Sequence, residues 1–193
     1  MKKIIIATKN KGKLLEYEKI LQPLGFEVFS LFDFDLEEIQ ETGDTFLKNA
    51  LLKAHAVRKH TTEMVLADDS GLEVAALNNA PGVHSKRYSN EGTDLANNLK
   101  MLETMKHEYN RQAKFVTMIV LIDKSGHIES FKGELHGYIH TALEGDEGFG
   151  YDPLFIPVGY TKTLAELGFD AKNKISHRAR ALQKVVDYLA KEY

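Results

Sequence analysis

The segment Met64-Val65-Leu66-Ala67-Asp68-Asp69-Ser70-Gly71-Leu72 constrains the fold more than any other. Its first four residues have the character of a buried strand, yet they run straight into two adjacent carboxylates. Buried charge without a partner is strongly disfavoured, so the surrounding chain must bring something positive to this point. A divalent metal is the usual partner, and glycine at 71 is read as a sharp turn by which the backbone leaves. Strands at 64–67 and 72–76 are therefore expected on either side of an acidic turn. A second acidic stretch, Glu37, Glu38 and Glu41, lies upstream, and a lysine-rich loop from Thr8 to Lys13 opens the chain. Metal ligands plus a phosphate grip outline an enzyme acting on a nucleotide or another phosphorylated substrate.

The remaining segments intermingle strands and helices. A strand over 3–7 leads into Leu14, Tyr17, Ile20 and Leu21 at helical spacing, stopped by Pro23 and Gly25. A second strand is expected over 27–31. Phe46, Ala50, Leu51, Ala54 and Val57 mark one face of a helix over about 44–60, and Leu95, Leu99, Leu102 and Met105 mark another. The stretch 114–122 is the strongest strand signal, and 128–139 returns after turn residues 123–126, so 114–139 reads as a hairpin. A last helix starts near Ser176, with Leu182, Val185, Val186 and Leu189 facing inward. No repeat, linker or low-complexity tract divides the 193 residues, which suffice for a single domain, 1–193, with a real core. The class is α/β or α+β with a long mixed sheet.

Composition narrows the function. A net charge of −3 argues against a nucleic-acid polymer as the main ligand, while local basic clusters can still hold one small polyanion. Cysteine is absent, which excludes disulfides, thiolate metal sites and a cysteine nucleophile, and fits a reducing cytoplasm. No apolar run approaches membrane-spanning length, and the N-terminus enters a strand with no signal-peptide pattern, so a cytoplasmic protein is expected.

Four groups of residues can carry chemistry. Thr8, Lys9, Asn10, Lys11, Gly12 and Lys13 join a strand to a helix, where unpaired backbone N–H groups and the helix dipole favour an anion. The Walker A pattern is missing, and taken alone the loop reads as an ordinary turn with exposed lysines. Glu38, Glu41, Asp68 and Asp69 offer oxygen-only ligands that suit Mg²⁺, although Glu37 and Glu38 read better as a solvated loop, and a carboxylate beside a metal can take a proton from water. Phe149-Gly150-Tyr151-Asp152-Pro153 pairs rings with a glycine that permits close approach, so a ring there can stack on a base or simply anchor the loop. Lys172-Asn173-Lys174-Ile175-Ser176-His177-Arg178 sets cations at the start of the last helix, where they oppose its dipole. An acceptor-rich ligand explains them, as does a charged surface helix start.

Taken in order along nearly the whole chain, these segments resemble the inosine triphosphate pyrophosphatase family. The resemblance runs through Ile6-Ala7-Thr8-Lys9-Asn10-Lys11-Gly12-Lys13, Glu41-Thr42-Gly43-Asp44-Thr45-Phe46, Asn49-Ala50 and Ala67-Asp68-Asp69-Ser70-Gly71-Leu72. It continues through Pro81-Gly82-Val83, Ser85, Arg87-Tyr88, the 148–153 loop and the 172–178 segment. It implies an elongated central mixed sheet flanked by helices, with two lobes around a deep substrate cleft, and a homodimer. It also implies cleavage of ITP, dITP and XTP between the α- and β-phosphates, with Mg²⁺ as cofactor. Residue by residue, Thr8 to Lys13 would hold the triphosphate, and Glu41 and Asp69 would bind the metal. Asp69 would also accept the proton of the attacking water. Ser70, Phe149, Gly150, Tyr151, Asp152, Lys172, His177 and Arg178 would contact the substrate. Lys86, where many members carry a small residue, and Lys114, where arginine is common, depart from the pattern.

A donor from Lys172, His177 or Arg178 would favour the acceptor at position 6 of hypoxanthine and xanthine over the amino group of adenine. Guanine shares that oxygen and has to be refused at its 2-amino group. Two other readings stand beside this one: a related diphosphatase with a different base preference, and a nucleotide sensor that does not hydrolyse. Retention of both Glu41 and Asp69 favours the enzyme.

Overall fold

A computed structural model describes residues 2–34, 36 and 39–192. Glu37 and Glu38 of the upstream acidic stretch lie outside the described residues. The described elements are β1 (Lys2–Ile6), α1 (Lys11–Leu21), β2 (Phe26–Ser30), α2 (Phe46–Arg58), β3 (Met64–Val74) and α3 (Asp94–Thr104). They continue with β4 (Gln112–Ile122), β5 (Ile128–Ile139), β6 (Phe155–Pro157), α4 (Leu164–Ile175) and α5 (His177–Glu192), with short 3₁₀ turns in the connections. The six strands form one sheet in the order β2-β1-β3-β4-β5-β6. β1 runs parallel to both β2 and β3, whereas β6 is antiparallel to β5, so the sheet is mixed, as expected. β4 and β5 are neighbours joined by the turn 123–127, a connection too short for anything but a hairpin.

Two compact units share the chain. The first comprises Met1–Asp69, Thr117–Gly133 and Arg178–Tyr193; the second comprises Ser70–Val116 and Glu134–His177. In the first unit both sheet faces are covered. Ile4, Ile6, Met64 and Leu66 pack with Tyr17 and Leu21 of α1 and Leu182, Val185 and Leu189 of α5. Ile5, Ala7, Val65 and Ala67 pack on the other face with Ala50, Ala54 and Val57 of α2. Strand residues alternate between faces, so covering both demands the unbroken apolar runs seen in β1 and at the start of β3. In the second unit Leu72, Val74, Phe115, Leu135 and Ile139 pack with Met101, Met105, Phe155 and Leu164. Within Glu134–Ile139 buried and more exposed residues alternate along β5, the pattern of a strand covered on one face.

Three expectations need correction. The acidic segment is not a turn: β3 runs unbroken from Met64 to Val74, and Gly71 is a buried strand residue within it. The helix at 94–104 exists, but Leu95 and Leu99 face out at 61% and 51% exposure, while Asn97, Asn98 and Met101 face in. Its inner surface is set by hydrogen-bonding needs, described below, which outweigh apolar periodicity. Finally, β6 and α4 were not anticipated. β6 has only three residues, and α4 contains Gly168 in a non-helical conformation (φ +82°), which blurs its period.

Candidate active site

Because β3 is continuous, Asp68 and Asp69 point to opposite faces of the sheet. That single geometric fact separates their chemistry. Asp68, on the α1 and α5 side, is 1% exposed. Its Oδ2 lies 2.8 Å from Lys13 Nζ and 3.3 Å from Arg178 Nε. Arg178, 2% exposed, also pairs through Nη1 with Glu16 of α1. Burial alone would raise the Asp68 carboxyl, but Lys13, Arg178 and Lys53 outweigh it and hold the group well below the ordinary carboxylate range. Arg178 responds in kind: burial works against its charge, and Glu16 and Asp68 more than restore it, holding its pKa above the ordinary value. The cations at the start of α5 therefore find acceptors inside the chain at Arg178. Lys13 itself is lowered, chiefly by burial.

Asp69 faces α2. Asn49 Nδ2 donates to its Oδ2 at 2.8 Å, and Asn49 Oδ1 accepts from the Gly43 N–H at 2.7 Å. Thr117 Oγ1, from β4, donates to the Asp69 carbonyl at 3.3 Å. Lys53 Nζ, one helical turn beyond Asn49, pairs with Glu41 Oε1. Burial pushes the Asp69 carboxyl upward, and the charge of Glu41 adds to that against the pull of Lys53 and Lys13. Adjacent carboxylates whose environments drive them apart are the pattern expected where one is structural and the other moves a proton. Glu41 and Asp69 also repel each other. Among the described residues, no three acidic, His or Cys groups converge as a metal-binding cluster. This donor set fits a hard cation that takes one or two carboxylates and completes its shell with water and substrate oxygens.

The loop after β1 precedes these groups. Thr8 is buried and its Oγ1 accepts from the Asn10 N–H, while Asn10 caps α1 by accepting from the Lys13 N–H at 3.0 Å. Lys11, Gly12 and Lys13 thus form the first turn of α1, and Lys9 Nζ donates to the Leu36 carbonyl.

The second unit carries the other expected residues. Lys172 Nζ, nearly fully buried, lies 2.6 Å from Asp152 Oδ2 and 3.9 Å from the centre of the Phe149 ring. The Phe149 N–H donates to the same Asp152 oxygen. Gly148 sits at φ +85°, and the Asp152 carboxylate occupies the space a side chain would need there. Tyr151 is a buried anchor whose hydroxyl donates to the Ser85 carbonyl at 2.7 Å; burial raises its pKa. Ser85 Oγ in turn accepts from the Leu72 N–H at 2.8 Å. His177, the first residue of α5, stacks on Phe115 at 4.9 Å with ring planes 12° apart. Ser70 is half-buried in β3.

Sequence reasoning passed over Glu16, Asn49, Lys53 and Thr117 as functional candidates. Asn49 and Lys53 carried a readable signal, since they are polar residues on the same helical face as Phe46, Ala50, Ala54 and Val57. Glu16 lies one turn beyond Lys13 on α1, but nothing local marks it as the partner of a residue 162 positions away.

The model of the Ham1 family matches residues 4–188. A protein of Exiguobacterium sp. named dITP/XTP pyrophosphatase is 50% identical over 185 residues, covering 95% of this chain and 94% of its own. Among solved structures, a HAM1 protein from Coxiella burnetii superposes with a TM-score of 0.90 at 38% identity, covering 99% of this chain and all of that one. The Ham1 protein of Staphylococcus aureus gives a TM-score of 0.88 at 37% identity, with both chains covered in full.

Proposed function

Because the chain belongs to the Ham1 family, we propose that it hydrolyses nonstandard purine nucleoside triphosphates, ITP, dITP and XTP, to the monophosphate and pyrophosphate. It is a nucleoside-triphosphate diphosphatase that cleanses the nucleotide pool. The observation that carries the reading is Asp69: buried, raised in pKa, held by Asn49 and set near Glu41. A sensor that only binds needs no proton acceptor tuned in this way.

Asp69 takes a proton from water as the water oxygen bonds to the α-phosphorus. The bond from that phosphorus to the α–β bridging oxygen breaks, and pyrophosphate leaves with its electron pair. Enzymes of this kind generally require a metal. Mg²⁺, held by Asp69 and Glu41, would supply neutralisation of the phosphate charge and stabilise the leaving group. Asn49 orients the Asp69 carboxylate, and Lys53 limits repulsion between it and Glu41. Thr8, Lys9, Asn10, Lys11, Gly12 and Lys13 hold the triphosphate, with Lys13 shared between Asp68 and the phosphates. Arg178 acts through Asp68, which it fixes in position.

Base contacts fall to Ser70, the Phe149–Asp152 loop, Lys172 and His177. Phe149 offers a ring face, while Tyr151 and Asp152 hold the loop that presents it. The proposal includes a homodimer working in the cytoplasm, supported by the family resemblance and a cysteine-free sequence. No helix of the described residues is long and apolar enough to cross a membrane.

Pyrophosphate release from ITP, dITP, XTP, GTP and ATP with Mg²⁺ tests the reading, using the wild type and Asp69→Asn. Turnover of the first three far above the last two is expected, with a loss on the order of 10²-fold or more in the variant. GTP turnover matching ITP would sink the base assignment, and release from none of the five by folded protein would sink the enzyme.

A further inference from the structure

We propose that α3 is a polar clip that sets the geometry of the base-recognition loop, with Asp94 and Asn98 as positioning residues for substrate selection. The proposal rests on the base-contact role assigned to Phe149. Asp94 and Asn98 stand one turn apart and grip both backbone groups of the same residue. The Gly150 N–H donates to Asp94 Oδ2 at 2.7 Å, and Asn98 Nδ2 donates to the Gly150 carbonyl at 2.8 Å. Fixing both groups of Gly150, which sits at φ +63°, fixes the planes of the two peptides that flank it. One of those peptides belongs to Phe149, whose other side is held by Asp152 and whose ring lies against Lys172. The ring direction is thus set from two sides, by α4 and by α3.

The neighbouring residue extends the clip. Asn97 Oδ1 accepts from the Ser89 N–H at 2.7 Å, and its Nδ2 donates to the Lys86 carbonyl at 3.0 Å. Asn97 and Asn98 are each 3% exposed, while Leu95 and Leu99 on the same helix are turned to the outside. Two buried amides on the inner face of a helix are costly unless their hydrogen bonds are needed, and apolar residues there would pack without any such demand. The bonds of Asp94 and Asn98 go to the backbone of a loop residue that lies outside helix and strand. A one-ångström error in such a loop is enough to degrade recognition.

The experiment measures kcat and KM for ITP and ATP, thermal melting, and amide hydrogen exchange over 149–151. Variants are Asp94→Ala, Asp94→Asn, Asn98→Ala and Asn98→Asp. Asp94→Ala and Asn98→Ala are expected to raise KM for ITP about tenfold and to narrow the ITP-over-ATP preference about as much. Their kcat changes by less than about threefold, because Asp69 is untouched. Asp94→Asn recovers most of the loss, since its amide oxygen still accepts. Asn98→Asp is the worst of the set, since it aims a carboxylate at a carbonyl oxygen. Exchange over 149–151 accelerates in both alanine variants. Unchanged exchange and unchanged preference in folded variants overturn the clip, as does an Asp94→Asn variant no better than Asp94→Ala. A wild type showing no preference for ITP overturns the base reading instead, and the exchange data still decide whether α3 holds the loop.

Discussion

Each of the two compact units buries a cation, and they do it differently. In the first, Arg178 lies between two carboxylates from separate elements, Glu16 on α1 and Asp68 on β3, with Lys13 as a third partner of the set. In the second, Lys172 meets one carboxylate, Asp152, and the face of one ring, Phe149. The first arrangement ties helices to the sheet through charge. The second ties a side chain to a loop, and Asp152 also holds the Phe149 N–H. One cation therefore ties elements of the fold together, whereas the other holds the loop proposed to contact the base.

The largest expected effect tests this contrast directly. Arg178→Met removes the Nη1 partner of Glu16 and the Nε partner of Asp68, two carboxylates buried with it, which costs about 3–5 kcal/mol. Lys172→Met costs less, about 1–3 kcal/mol, because Asp152 keeps a backbone donor. Urea unfolding reads both as shifts of the midpoint at constant slope. A Lys172 loss equal to or above that of Arg178 would break the comparison.

Two glycines sharpen it at the level of activity. A Cβ on Gly43 would lie 2.7 Å from Asn49 Oδ1, so Gly43→Ala displaces the residue that orients Asp69. The expected cost is about 1–3 kcal/mol in stability, with a fall in kcat for ITP and little change in KM. Gly148→Ala collides with the Asp152 carboxylate at a positive φ and distorts the loop, so KM rises while kcat holds. Steady-state kinetics on the two variants that gave the same pattern would erase the division of labour.

The smallest effect concerns alkaline pH. Lys114 bridges β3 and β5, with Nζ 2.9 Å from Glu134 and 3.4 Å from Glu73. The hydrogen bond that its ammonium donates to Glu134 comes first among the causes that raise its pKa. A lysine raised in the folded state contributes stability fully present below its unfolded value of about 10.4 and lost as pH climbs through the folded value. With both partners part-exposed, the contribution is at most about 1 kcal/mol. Melting temperatures taken above neutral pH should fall more steeply at the alkaline end in the wild type than in Lys114→Met, and parallel curves would remove Lys114 from the account.

Much of the fold was legible. The apolar runs of β1 and β4, the periodicity of α1, α2 and α5, and the turn chemistry at 123–126 all act within a few residues, and the hairpin over 114–139 followed from them. The segments that hid were the ones with weak local signals, three-residue β6 and glycine-interrupted α4. α3 was found and Met105 is buried as expected, but Leu95 and Leu99 face out, because apolar spacing gave no weight to Asn97 and Asn98, whose partners are backbone groups at 86, 89 and 150.

Sequence by itself determined that two carboxylates sit against a buried strand, that a basic loop and an aromatic loop accompany them, and that the chain belongs with the pyrophosphatases it resembles. It did not determine what surrounds each carboxylate. Only the tertiary structure decided that, by carrying β3 straight through Asp68 and Asp69. The pleat turns one toward Lys13 and Arg178 and the other toward Asn49, Lys53 and Glu41, and residues adjacent in sequence acquire opposite electrostatic surroundings. Alternation across a sheet is local, but what covers each face is brought there by α1, α2 and α5 from opposite ends of the chain.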